Sequence, residues 1–237
     1  MADADFSLFT SIRYDVRLKG VPSGDLRHAG WNFEQESPFY MLDYHRDRIL
    51  RAATHWKWNE AIEFFSGKEG LSTLAKMALE SVGEYETKPL RVRIVVNADG
   101  SISFHKFHTP DVPLENLLPK RLPPPGAPAA GNDPDPLPTV TLVVDDGRVA
   151  RSEFTHYKTT RRAMYDAARE RAGIGPKDLK EVLMINEDGL AVMEGSTTAP
   201  YFWRRGRWVT PPVAPEFDWN EGSGGQDGTS RRWALQR

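Results

Sequence analysis

Between residues 109 and 138 the chain carries ten of its 18 prolines, including Pro123-Pro124-Pro125 and Asp133-Pro134-Asp135-Pro136. Proline lacks a backbone donor, and this stretch has no periodic apolar positions, so it cannot be the middle of a sheet or a long helix. It reads as a linker that divides the chain into an N-terminal α/β lobe over 1–108 and a C-terminal lobe over 139–237. A PxxP ligand for a partner domain is the other use such a segment has. At 237 residues with 39% hydrophobic content, one sizeable core or two small ones can be buried.

Within the first lobe, Phe6–Tyr14 alternates as a strand and Asp15–Gly24 reads as a turn-rich connection. Asp43 is a candidate N-cap for a helix running to about Trp56, and residues 70–83 form a second, with Leu71, Leu74, Met77 and Ala78 on one face. Leu90–Val96 and Ile102–Phe107 flank Asn97-Ala98-Asp99-Gly100, whose Asp-Gly step predicts a hairpin. In the second lobe, strands are predicted at Val140–Val144, Glu181–Ile185, Leu190–Met193, Thr198–Trp203 and Trp208–Val209, and a helix over Thr159–Ala172. Gly222–Gly228 reads as a flexible loop, followed by a helix from Thr229. The mixture is α+β in two lobes, with no internal repeat.

Composition excludes several functions. The formal charge of −2 gives no bulk reason to expect nucleic acid or an anionic membrane, and Arg204-Arg205-Gly206-Arg207 is too short to change that. The absence of cysteine removes disulfides, thiolate metal ligands and a cysteine nucleophile. His45 and His156 have no partner spacing that suggests a metal, so none is expected. The acidic start after Met1 lacks the order of a signal peptide, and no apolar run is long enough to span a bilayer, so the expected compartment is the cytosol.

The residues that carry chemistry are Lys158, in His156-Tyr157-Lys158-Thr159-Thr160-Arg161-Arg162, and Glu194, in Glu194-Gly195-Ser196. A lysine opening a helix and a glutamate ending a hairpin are what a pyridoxal phosphate (PLP) site needs. The amine bonds to the cofactor aldehyde, and the carboxylate keeps the pyridine nitrogen protonated so the ring can accept electrons. Arg91 and Arg93 alternate on a strand and point the same way, where they can present cations to a substrate carboxylate.

Five motifs in order, namely His45-x-x-Arg48, Lys158, Glu194-Gly195-Ser196, Thr210-Pro211-Pro212 and Gly228-Thr229-Ser230-Arg231, resemble the fold-type IV PLP enzymes. These are the branched-chain and D-amino-acid aminotransferases and aminodeoxychorismate lyase, and the resemblance spans roughly residues 6–237. The stretches FTSIRYD, YMLDYHRDRILRAA, KTTRRAMYDAAR and YFWRRGRWVTPP are most similar to fungal proteins of the lyase type. The resemblance implies PLP as cofactor, Lys158 as its Schiff-base residue and Glu194 at the pyridine nitrogen. It further implies Arg48, with Thr229 and Ser230 at a helix start, on the phosphate, and Ser196 and Thr197 lining the cofactor. It also implies a small amino substrate and a homodimer with the site near its interface.

Three departures accompany the resemblance. Ala199 stands where the family usually has an asparagine, five residues after the ring-binding glutamate. Ala163 stands where the aminotransferases often carry a tyrosine that the lyases lack. The C-terminal lobe also ends early, a few residues into the helix begun at Thr229, so its fold is expected to be incomplete. The implied activity is conversion of 4-amino-4-deoxychorismate to 4-aminobenzoate and pyruvate. The alternatives are a branched-chain or D-amino-acid aminotransferase, or a non-catalytic descendant acting as a binding module.

Overall fold

A computed structural model describes residues 5–83, 85–127, 139–189 and 191–237. In chain order the elements are β1 (Leu8–Tyr14), α1 (Trp31–Glu34), α2 (Leu42–Trp56), α3 (Asn59–Phe65), α4 (Gly67–Val82), β2 (Leu90–Val96), β3 (Ile102–His108) and α5 (Leu114–Leu117). They continue with β4 (Thr141–Val144), α6 (Glu153–His156), α7 (Ala163–Arg171), β5 (Lys180–Ile185), β6 (Val192–Gly195), β7 (Phe202–Arg204), β8 (Arg207–Val209) and α8 (Thr229–Leu235). The result is the α+β class that the alternation of patterns indicates.

The chain divides into two compact units that are not contiguous in sequence: Met1–Lys120 with Lys158–Arg161 and Thr229–Arg237, and Arg121–Tyr157 with Arg162–Gly228. Lys158–Arg161 and Thr229–Arg237, read from the sequence with the C-terminal lobe, therefore belong to the first unit.

In the first unit β1, β2 and β3 form an antiparallel sheet in that order. The β2–β3 hairpin turns at the predicted step, with Gly100 at φ +79°. On one face of the sheet Leu8, Ile12, Val92, Ile94 and Val96 are buried, together with Ile49 and Ala53 of α2. Alternate residues point to opposite faces, so Phe9 and Ser11 lie on the other face with Arg91 and Arg93. The N-cap of α2 is Met41 in a left-handed conformation, not Asp43, which sits in the first turn. α3 begins just after the left-handed Lys57 that ends α2 and was not predicted.

The described part of the proline-rich segment, residues 109–127, packs more than its composition indicates. Residues 128–138 lie outside the described residues, but α5 places Leu118 at full burial among Leu18, Val21, Ala29, Met41 and Trp233 of α8. Five residues with three leucines are enough to dock a short turn even between prolines.

In the second unit β4 runs parallel to β5, and β6 pairs antiparallel with β5. α7 packs its Tyr165 and Ala168 against Val182, Met184 and Met193. Two expectations are corrected here. The helix predicted from Thr159 starts at Ala163, because Lys158–Thr160 is extended along β1: Phe9 N donates to Lys158 O at 3.0 Å and Thr160 N to Ser7 O at 2.9 Å. β-Branched threonines favour that pairing over a helical first turn. The glycine-rich 222–228 loop is packed, with Ser223, Gly224, Gly225 and Gln226 buried. Ser223 N donates to Pro212 O at 2.7 Å, and Asn186 Nδ2 donates to Ser223 O at 3.1 Å. β6 starts at Val192; Leu190, predicted to open it, lies outside the described residues. No helix among the described residues is long and apolar enough to cross a membrane.

Candidate active site

Lys158 belongs to the first unit, on the extended segment that pairs with β1 at the isolated bridge Leu8–Thr159. Its Nζ lies 5.0 Å from the centre of the Phe9 ring, and the Arg93 guanidinium lies 4.3 Å from the same ring. Register explains the Arg93 contact. Arg93 opposes Ser11 and Phe9 opposes Val95, so Phe9 and Arg93 are diagonal neighbours on one face. One aromatic ring thus carries two cations of different chemistry, an amine that can form a covalent bond and a fork suited to a carboxylate. Arg91, two residues along, stacks instead on Phe107 of β3 at 4.6 Å and is exposed.

On the opposite face of β1, Thr10 is fully buried beneath α2. His45 and Arg48, three apart on that helix, both reach its hydroxyl: Thr10 Oγ1 is 2.6 Å from His45 Nδ1, and Arg48 Nη2 donates to Thr10 Oγ1. Arg48 can only donate, so the hydroxyl oxygen accepts from it and the hydroxyl proton turns to His45 Nδ1. Burial holds the imidazole well below its usual pKa, and the positive charges of Arg48 and Lys158 add to the effect. His45 is therefore neutral, with its proton on Nε2.

Thr159, next to the lysine, is buried, and its Oγ1 has no hydrogen-bond partner. A bound ligand's polar atom satisfies such a group, which otherwise costs free energy. Thr229 opens α8 and is buried, whereas the neighbouring Ser230 is exposed. The helix is anchored on α2, where Arg232 stacks over Tyr44 at 4.7 Å and pairs with Asp47 at 3.6 Å.

The second unit holds Glu194, buried near the end of β6. Its Oε1 accepts the Tyr165 hydroxyl at 2.6 Å. Gln226 Nε2 in turn donates to the Tyr165 oxygen at 3.0 Å. Glycines let the loop carrying Gln226 close onto the strand: a Cβ on Gly225 would meet Met193 O at 2.7 Å and Glu194 Cβ at 3.3 Å.

Ser196 and Thr197 follow Glu194, and both give their hydroxyl protons to the buried Glu181, at 2.5 and 2.6 Å. The same carboxylate accepts from the Ser196 and Thr197 amides at 3.0 and 3.1 Å, from the Thr198 hydroxyl at 3.0 Å and from Val182 N at 2.9 Å. Burial pushes the Glu181 carboxyl up, but these hydrogen bonds outweigh it and hold it below the usual glutamate range. While they hold Glu181, the Ser196 and Thr197 hydroxyls have no proton to give a ligand. Among the described residues no group of His, Asp or Glu is arranged to hold a metal ion.

Lys158 and Arg93 share one ring, Arg48 reaches Thr10 and Glu194 is buried against Tyr165; nothing in the sequence singles out Thr10, Tyr165 or Gln226. Tyr165 carries the signature of an ordinary helix core residue, and Gln226 sits in a segment whose glycines suggest looseness. Glu181, a charge at the start of an otherwise apolar strand, was the one local anomaly that could have flagged its knot.

The family model for class IV aminotransferases matches residues 30–236. Among solved structures, the chain is similar to a protein from Mesorhizobium loti provisionally described as an amino-acid aminotransferase, with a TM-score of 0.60 at 17% identity over 98% of this chain and 83% of that one. It is also similar to a hypothetical aminotransferase from Mycobacterium tuberculosis in its apo form, with a TM-score of 0.52 at 15% identity over 95% of this chain and 65% of that one. At such identities the likeness speaks for the fold. No curated protein sequence matches significantly.

Proposed function

Since the chain belongs to the class IV aminotransferase family, whose members are PLP-dependent enzymes of the α+β fold type IV, we propose that it binds PLP through Lys158 and cleaves 4-amino-4-deoxychorismate to 4-aminobenzoate and pyruvate. The observation that carries this reading is the pairing of Lys158 and Arg93 on the Phe9 ring, an attachment amine beside a cation for a carboxylate.

Each unit holds groups whose chemistry suits the cofactor. By the resemblance, Lys158 would supply the amine, Glu194 a buried carboxylate for the ring nitrogen, Arg48 a guanidinium for the phosphate, and Thr159 a buried hydroxyl lacking a partner. When bound, PLP supplies an electron sink for the pair left behind as a proton departs from the substrate carbon. Lys158 Nζ would take that proton and return it, serving as general base and then acid. Glu194 would keep the ring nitrogen protonated, and Arg93 would orient the substrate through a carboxylate. One substrate gives two products, so no second substrate is required.

Position 163 favours the lyase over transamination: it is an exposed alanine opening α7, where the resemblance places a tyrosine in the aminotransferases. The nearby Tyr165 does not replace that phenol, since its hydroxyl is given to Glu194. By the same resemblance the assembly is a homodimer, which light scattering of the purified protein measures directly.

The test is to supply aminodeoxychorismate and follow pyruvate and 4-aminobenzoate together. Equal release of both, abolished in Lys158→Ala, is the expected result. Consumption of an amino acid only when a keto acid is present would replace the lyase with an aminotransferase. No turnover of either kind would favour the binding-module reading, which Ala199 supports.

A further inference from the structure

We infer that Tyr165, oriented by Gln226, is a positioning residue for Glu194, fixing the carboxylate so that it holds the proton on the ring nitrogen of the cofactor. This deepens the PLP reading above and rests on it.

Each hydrogen bond in this chain of donors has one direction. Tyr165 has one hydroxyl proton and two acceptors in reach, Glu194 Oε1 at 2.6 Å and Thr155 O at 3.3 Å. The shorter contact is to the ionisable group, where a donated hydrogen bond is strongest. The Gln226 amide donates to the phenolic oxygen at 3.0 Å, which directs the phenol proton away from Gln226 and toward Glu194. Donation therefore runs from Gln226 to Tyr165 to Glu194, in one sense only.

Each link is itself immobilised. Tyr165 is 1% exposed, packed among Val149, Ala168, Ile174, Val182, Met184 and Met193, and its ring carries the Arg162 guanidinium at 4.4 Å. Gln226 follows Gly224 and Gly225, where an added Cβ would come within 2.8 Å of Arg151 Cβ and 2.7 Å of Met193 O. Ser223 Oγ donates to Met193 O at 3.3 Å, tying the same loop to the strand that carries Glu194. Burial, reinforced by the Glu194 charge, raises the Tyr165 pKa well above the usual phenol value, so the hydroxyl keeps its proton to donate across the working pH range.

A phenylalanine would fill the same space in this core, so the hydroxyl is there for its polar contact. What it provides is a hydrogen bond that holds the buried carboxylate in one rotation. A carboxylate fixed in this way is placed to hold a proton on a ring nitrogen.

The experiment uses the full chain reconstituted with PLP labelled with ¹⁵N in the ring, freed of unbound cofactor, and reads the ring-nitrogen chemical shift. The wild type is expected to give the protonated value. Tyr165→Phe is expected to move the signal toward the unprotonated value and to lower kcat by about 10- to 100-fold with KM little changed. Gln226→Met, which keeps the phenol but frees it to rotate, is expected to move the signal in the same direction by less. A Tyr165→Phe protein that keeps the wild-type shift and kcat overturns the inference. Should Tyr165→Phe not fold, an unmoved signal in Gln226→Met overturns it instead. If the wild type itself fails to retain PLP, the cofactor reading fails and carries the inference with it, an outcome distinct from a loaded protein whose nitrogen ignores the substitution.

Discussion

Glu181 Oε1 accepts the Ser196 hydroxyl across 2.5 Å, and this pair is the centre of the turn that follows Glu194. The carboxylate replaces the water that a buried turn would otherwise need for its amides and hydroxyls. Glu181→Ala strips the acceptor from three amides and three hydroxyls at once. We expect a loss of about 3 kcal/mol, at the upper end for breaking a buried polar network, measured as a lower urea midpoint. Glu181→Gln keeps one good acceptor oxygen and should lose roughly half as much.

The neutral, buried His45 predicts a pH dependence. Its folded pKa lies well below the unfolded value of about 6.5, so between the two the unfolded chain binds the extra proton. Stability should therefore fall as pH drops below about 6.5. The buried carboxylates with lowered pKa, Asp15, Asp145 and Glu181, act in a lower window, their contribution being present above about pH 4 and lost below it. Chemical denaturation from pH 7.5 to 5 should show a slope that is absent in His45→Gln. An unchanged slope in that variant would assign the dependence to other groups.

Close approach of the glycine loop to β6 makes Gly225→Ala a steric test. The new methyl would lie 2.7 Å from the Met193 carbonyl, so the backbone of one segment must shift. The expected cost is about 1–3 kcal/mol, the usual range for overpacking. Gly206→Ala, whose Cβ would meet nothing within 4 Å but whose φ is +76°, separates strain from crowding: it should cost about 1 kcal/mol and leave Glu194 undisturbed.

The two strand arginines should separate kinetically. Arg93 shares the Phe9 ring with Lys158, whereas Arg91 stacks on Phe107. Arg93→Ala is expected to raise KM for a carboxylate substrate by about 10- to 100-fold, the loss of one charge-assisted contact, while Arg91→Ala stays within about twofold of wild type. Steady-state kinetics of the two variants decide between them. Equal effects would remove the ring as the distinguishing feature.

How legible this arrangement was depended on the range of the interactions involved. The β2–β3 hairpin and α2 were readable because an Asp-Gly turn and a 3.6-residue period are local signals. Lys158 stands out through its motif, but its extended setting does not. Thr159 and Thr160 look like a helix start until Ser7 and Phe9, some 150 residues away, offer hydrogen bonds to an extended strand. The loop at 222–228 was misread for a related reason, since glycine signals flexibility in sequence and close packing in structure, and only the neighbouring Met193 carbonyl tells which applies. Leu118 was hidden by the prolines around it. Tyr165 and Gln226 carry no local mark of their connection to Glu194, because a donor chain formed from a helix, a strand and a loop exists only after folding.

Lys158 is the proposed attachment point of PLP. The most direct measurement is the visible absorbance of purified protein incubated with PLP and freed of unbound cofactor, comparing wild type with Lys158→Ala. We expect a retained yellow band in the wild type and its loss in the variant, with both proteins unfolding at similar urea concentrations. A wild type that keeps no cofactor, or a Lys158→Ala protein that keeps the same band, would contradict it.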